Sequence, residues 1–270
     1  MTAPALSPQD LQAIASAAPQ WRGGNVAVVQ TPHAGRVVVK SMRAPRHPAR
    51  YRLLGALAGL LGAPYLKTAP LLGGAAGQAL EVRRLRALHA AGVRVPQVLH
   101  VAPDHFVMQW LGPGDLAAAL RQRHPQAAAL WREGGDALTR IHCAGQCLSQ
   151  AFARNMIVSE TGALAGMIDF EDAPLQVMPL ADAQARNWLD YLHSTLWLAP
   201  LPQAEADACL DAWMQAAPAA TRARFTHACQ RLAWLRALPT HRRWGRDTVS
   251  LQAAAAAAHR FLGRHAAPSA

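Results

Sequence analysis

Four side chains of this sequence could act together on a phosphate. Lys40 closes an apolar run, Val37-Val38-Val39-Lys40, and Glu81 lies further on in a helical pattern. Asn155 follows the dipeptide Ile141-His142, and Asp169 is set between apolar neighbours as Ile168-Asp169-Phe170. Phosphoryl transfer asks little covalent chemistry of a protein. It needs a lysine on the phosphates, an acid and an amide on the metal, and a positioned acceptor. Asp169 carries the strongest single signal, because an acid between two apolar residues is costly to bury without a partner. Taken alone, Lys40 reads as a solvated strand end, and Glu81, among Arg83, Arg84 and Arg86, as a surface ion pair of little energetic weight.

The elements that must position these residues can be read in order. Ser7-Pro8-Gln9-Asp10 predicts a helix start, with a Ser cap, Pro in the first turn and an acid behind it. Residues 26–29 and 36–40 read as two strands joined by a turn at 31–35, with Gly23-Gly24-Asn25 ahead of the first. Leu80, Val82, Leu85 and Leu88 make an apolar stripe in a helix over 78–91, which Gly92 ends. A hairpin is expected from 95–101 and 105–110. Beyond Gly112 the pattern turns helical: 116–120, 127–141, 187–196, 204–214, 222–235 and 250–262, interrupted by a β pair at 155–158 and 165–170.

The order of these residues resembles the protein-kinase-like superfamily. The nearest likeness is to its small atypical members: the kinase of the KEOPS complex, the RIO kinases and the lipopolysaccharide core kinases. The residues that carry it are the segment from Ile141-His142 to Asn155 and then Ile168-Asp169-Phe170, within a likeness spanning roughly residues 20 to 200. The resemblance implies an α+β, bilobal protein-kinase-like fold. Residues 1–20 would be an N-terminal helix and extension, 21–111 a β-rich N-lobe with an inserted segment at 41–75, 112–265 a helical C-lobe and 266–270 a tail. It implies ATP and Mg2+ as cofactors. Lys40 would contact the α- and β-phosphates, Glu81 would hold Lys40, and Asn155 and Asp169 would ligate magnesium. Gly23 and Gly24 would serve as the glycine-rich loop, and Met108, Gln109 and Leu111 would lie along the edge that holds adenine.

The sequence also departs from that pattern. The position of the catalytic Asp is Gln150, preceded by Leu148-Ser149 in place of His-Gly, and Phe170 is followed by Glu171 in place of Gly. An amide is not a base. The expected function is therefore an ATP-dependent phosphotransferase, acting on a protein Ser/Thr or a cell-envelope sugar. The alternative is a pseudokinase that binds nucleotide and regulates or scaffolds without transferring phosphate. Gln150 could still orient an acceptor. Asp172 reads as a cap or turn residue.

Composition bounds the partners. A formal charge of +11 favours anionic ones: nucleotide, an anionic acceptor or phosphorylated glycan, or an acidic membrane surface. Arg43, Arg46, Arg50 and Arg52 before an apolar stretch at 53–66 could lie on such a surface, though a loop packed on the N-lobe is the plainer expectation. A tRNA partner is the weaker expectation, since no aromatic–basic RNA motif accompanies the charge. Arg236, His241, Arg242, Arg243 and Arg246 form a basic cluster that could bind acceptor phosphate, while Trp213, Trp234 and Trp244 read as core. Cys143, Cys147, Cys209 and Cys229 complete no metal set and read as buried thiols of a reducing compartment. No signal peptide or membrane span is expected, so the chain reads as cytoplasmic, with peripheral contact at the inner membrane as an option.

Overall fold

The computed structural model describes residues 5–43, 67 and 72–266. Most of the basic and apolar stretch expected as an insertion, including Arg46, Arg50, Arg52 and the run 53–66, lies outside the described residues.

Helix α1 (Pro8–Ser16) starts as its sequence predicts. The Ser7 hydroxyl accepts from the Asp10 N–H, and the Asp10 carboxylate accepts from the Ser7 N–H, a reciprocal cap that satisfies two end donors. Asp10 also accepts from His33 N–H at 2.8 Å, which ties α1 to the turn between the first two strands. Helix α2 (Ala18–Gly24) follows, begun by Pro19 and stopped by Asn25 in the left-handed region at φ 64°. Trp21 is buried from this helix, its ring N–H donating to the Ile14 carbonyl.

Strands β1 (Val26–Thr31) and β2 (Gly35–Ser41) pair antiparallel with Val28 opposite Val38 and Val26 opposite Lys40. Helix α3 (Gly74–Ala90) buries Leu80, Glu81, Val82, Leu85 and Leu88. The hairpin of β3 (Val98–Val101) and β4 (His105–Gln109) completes a four-stranded antiparallel sheet in the order β1-β2-β4-β3. β3 starts at Val98, since Pro96 supplies no ladder N–H.

A second antiparallel sheet has three short strands: β5 (Gly114–Asp115), β6 (Met156–Val158) and β7 (Leu164–Met167), in that order. Asp115 caps α4 (Leu116–Arg121) by accepting from Ala118 N–H. The other helices are α5 (Ala127–Cys143), α6 (Leu180–Thr195), α7 (Gln203–Ala216), α8 (Ala219–Leu232) and α9 (Arg246–His265). The mixed α+β class is therefore as expected, with helix the larger part.

The main core centres on Trp131, Trp188, Tyr191 and Trp213, with ring centroids 4.9 Å apart for Trp131–Trp213 and 5.5 Å for Trp188–Trp213. Gly135 on α5 permits this contact, because a Cβ there would lie 2.1 Å from the Trp213 ring. Among the described residues no helix is long and apolar enough to cross a membrane.

Several expected boundaries move. Helix α6 begins at Leu180, seven residues before Asn187, because Ala181, Ala183 and Ala185 extend a favourable run back to Pro179. The β pair is shorter than expected: Asn155 ends a 3-10 turn (Ala153–Asn155), and residues 168–170 lie past the end of β7. Trp213 is core, but Trp234 and Trp244 are 64% and 56% exposed, against expectation. The cysteines are all free, with Cys147 and Cys229 buried but Cys143 exposed.

Candidate functional site

Lys40 reaches the site because the alternation of β2 turns Val37 and Val39 to one face and Val38 to the other, and the strand ends beside α3. Its ammonium is almost fully buried and lies 2.7 Å from Glu81, 2.9 Å from Glu171 and 3.7 Å from Asp169. Arg43 meets the same Glu171 carboxylate, 2.9 Å from the Oε1 that Lys40 contacts and 3.0 Å from Oε2. Burial alone would lower the Lys40 pKa, but the carboxylates of Glu81, Glu171 and Asp169 hold it above the usual lysine value. The lysine is thus charged throughout the neutral range, and one ammonium and one guanidinium face three acids.

Asp169 sits where β7 gives way to an irregular segment. Its backbone is in the left-handed region at φ 72°, an uncommon conformation for a residue with a side chain and one that clusters at functional sites. The Ile168 N–H donates to the Asn155 carbonyl at 2.9 Å, so the strand end carrying Asp169 and the turn carrying Asn155 are pinned together. Asn155 donates its side-chain N–H to the Gln150 carbonyl at 3.2 Å. That bond engages the amide nitrogen, so a cation here could take only Oδ1 from this side chain.

These groups border a cavity of about 320 Å³. Val26, Val28 and Val38 supply an apolar wall from the four-stranded sheet, Met108 to Gly112 supply an edge, and Asn155, Ile157, Ile168 and Asp169 supply the opposite wall. Lys40 and Arg43 close one end. The expected residues Lys40, Asn155, Asp169, Met108, Gln109 and Leu111 therefore come together, with Glu81 behind Lys40. The polar end offers oxygen donors of the kind a hard cation takes. Among the described residues no three His, Cys, Asp or Glu side chains form a set that could hold a metal alone, so a cation here would need oxygens from its ligand as well.

Two expectations need correction. Gly23 and Gly24 do not form a loop over this cavity. They are the last turn of α2, and neither lines it, because Pro19 starts a helix there and Trp21 anchors it. Asp172 is not a cap or turn residue. It is buried, lies 3.6 Å from Arg186 of α6, and its carbonyl accepts from the Ser149 hydroxyl. Burial pushes its carboxyl above the usual range despite Arg186.

Gln150 does not line the cavity; its Oε1 faces Arg154 at 3.4 Å. The segment that carries it is held by α6. Asn187 accepts from Leu148 N–H at 2.8 Å and donates to Leu148 C=O at 3.0 Å, and Gln184 donates to the carbonyls of His142 and Gln146. Asp190, also on α6, carries a carboxyl that burial pushes up to about 7, with Arg186 3.9 Å away.

Sequence reasoning missed Glu171 and Arg43 as members of the site. The only signal for Glu171 was an acid two residues from Asp169, since the left-handed backbone at Asp169 breaks the alternation that would put the two on one side. Arg43 carried no such signal. Compared with models of known protein families and with curated proteins, the chain matches none.

Proposed function

We propose that this chain is an ATP- and Mg2+-dependent phosphotransferase of atypical kinase type, in a two-lobed arrangement with the cavity between the lobes. The acceptor is a protein Ser/Thr hydroxyl or a cell-envelope sugar. The observation that carries the reading is the convergence of Lys40, Asn155 and Asp169 on one cavity with an apolar wall, from elements more than a hundred residues apart.

In this reading the valines of β1 and β2 cover an adenine ring against Met108 to Leu111, and Lys40 neutralises phosphate charge, held in place by Glu81. Asn155 Oδ1 and the Asp169 carboxylate would hold magnesium, which would supply positive charge against the charge that develops on the phosphate. Apart from that electrostatic contribution, catalysis is positioning. Gln150, an amide, can orient an acceptor hydroxyl but cannot take its proton, and a general base is typically worth about 10²–10⁴-fold. Slow transfer is therefore expected.

The second reading, a nucleotide-binding pseudokinase, is favoured by Gln150 and by Glu171, which already occupies the Lys40 ammonium. Thermal shift with ATP, with and without Mg2+, tests the binding that both readings share. Asp169→Asn should remove the Mg2+-dependent part of that shift, and its persistence would show the metal site misassigned. Turnover then separates the two readings: Gln150→Asp should raise ATP consumption if the chain transfers phosphate and leave it at background if it does not.

A further inference from the structure

The positive charge of this chain collects in its C-terminal part. From residue 212 onward there are nine arginines and one acid, Asp247, a net +8 out of the chain's +11. Seven of these arginines fall into two sets in the structure. One set is neutralised: Arg224 lies 3.4 Å from Asp182, Arg260 2.7 Å from Asp207, and Arg264 2.7 Å from Asp211. In the other, Arg236, Arg242 and Arg243 have no carboxylate at ion-pair distance among the described residues. Arg246 meets only its neighbour Asp247, at 3.6 Å, with both side chains more than two-thirds exposed.

Exposed indole rings occur in the same two chain segments, 233–237 and 241–247. Trp234 and Trp244 are the two most exposed large apolar side chains of the described residues. Arg243 lies over the Trp244 ring at 5.6 Å, and Arg242 over Trp197 at 5.1 Å. Every residue of the loop from Thr240 to Asp247 is exposed. Its roots are fixed to α9: Gln252 donates to the Arg236 carbonyl at 3.2 Å and Thr248 to the Trp244 carbonyl at 2.9 Å.

Exposed tryptophan next to unpaired arginine matches the chemistry of a membrane interface. The indole settles at headgroup depth, and each arginine is drawn to anionic headgroups. A nucleic-acid strand also uses arginine and aromatic rings, but it is held in a groove that tracks its backbone, whereas every residue of this loop is exposed. We propose that the face of Trp234, Arg236, Arg242, Arg243, Trp244 and Arg246 docks this chain on a bilayer containing anionic phospholipid.

The face lies beside the loop that carries Gln150 and Asn155. Arg154, which contacts Gln150, stacks on Phe152, whose ring meets His193 at 6.2 Å, and His193 feels the charges of Arg246, Asp247 and Arg154. Docking here presents that loop to the lipid surface. The proposal stands apart from the phosphotransfer reading, since its test contains no nucleotide.

The test is co-sedimentation of the full chain with phosphatidylcholine vesicles, with and without about one-third phosphatidylglycerol. Binding is expected only with the anionic lipid, accompanied by a blue shift of tryptophan emission. Arg242→Ala with Arg243→Ala should weaken it by about thirtyfold, whereas the paired Lys variants should retain it. Trp234→Ala with Trp244→Ala should weaken it and remove the blue shift. An unchanged thermal midpoint shows that each variant is folded. Equal binding to neutral vesicles, no binding to anionic ones, or undiminished binding by the Arg and Trp variants overturns the proposal. It is also overturned if those variants lose affinity for a single-stranded oligonucleotide while vesicle binding stands. Changing Arg46, Arg50 and Arg52 to alanine should leave vesicle binding in place, and loss confined to that variant would place docking elsewhere.

Discussion

Replacing Glu171 with glutamine keeps the side chain's size and removes one negative charge from beside Lys40. In the structure the Glu171 carboxylate lies 2.9 Å from the ammonium and 2.9 Å from Arg43. A phosphate oxygen seated on the same ammonium at a similar distance, at tetrahedral spacing, would lie about 4.7 Å from that carboxylate. With an effective dielectric of about 20, two unit charges so placed repel by about 3.5 kcal/mol. Counterions and an accompanying Mg2+ reduce this, and if about 40% survives, Glu171→Gln tightens nucleotide binding about tenfold. Freed of Glu171, Arg43 would gain a phosphate as its partner, which works in the same direction. Titration calorimetry of the two proteins with ATP and Mg2+ at fixed ionic strength reads the difference directly. An unchanged dissociation constant would mean that phosphate does not sit on Lys40. A weaker one would mean that Glu171 contributes to holding the metal.

Two further outcomes follow from burial. Lys40→Met strands Glu81, which is 4% exposed, and removing one partner of a buried pair costs about 3–5 kcal/mol. The double variant Lys40→Met, Glu81→Leu should recover most of that in urea unfolding, and no recovery would show that Glu171 and Asp169, not Glu81, dominate the lysine's environment. His142 is buried against Trp188, and desolvation lowers its pKa from 6.5 to about 4 despite an Asn187 contact. The unfolded chain therefore binds the proton first. His142 contributes stability that is fully present above pH 6.5 and is lost as pH falls towards 4, about 3 kcal/mol in all. His142→Gln should flatten the fall in unfolding free energy between pH 7 and pH 4.5, and parallel curves for the two proteins would refute this.

Lys40, Glu81, Asn155 and Asp169 were legible because each has a local reason to be noticed: an apolar strand ending in a charge, an acid in a helical stripe, an amide and an acid flanking a β pair. Their order along the chain then brings them together. Gly23 and Gly24 misled because glycine suggests a loop, whereas Pro19 and a buried Trp21 make that segment a helix. Asp172 was misread because its partner, Arg186, lies fourteen residues on and one helix away. Trp234 and Trp244 read as core in the sequence but are exposed, because indole burial is decided by what packs around it, and no local pattern reports that. Glu171 reads only as a missing glycine, because no spacing rule holds across the left-handed backbone at Asp169.

Asn187 grips Leu148 by both its N–H and its carbonyl, and Gln184 takes two more carbonyls of the same stretch. The amide and carboxylate of the cavity are therefore moored, through that stretch, to the helices, while the ammonium is rooted in the four-stranded sheet. The two moorings answer to different parts of the chain. A substitution in α6 such as Asn187→Ala would slacken the Asn155 side and leave the Lys40–Glu81 pair standing, so the cavity can be dismantled one wall at a time.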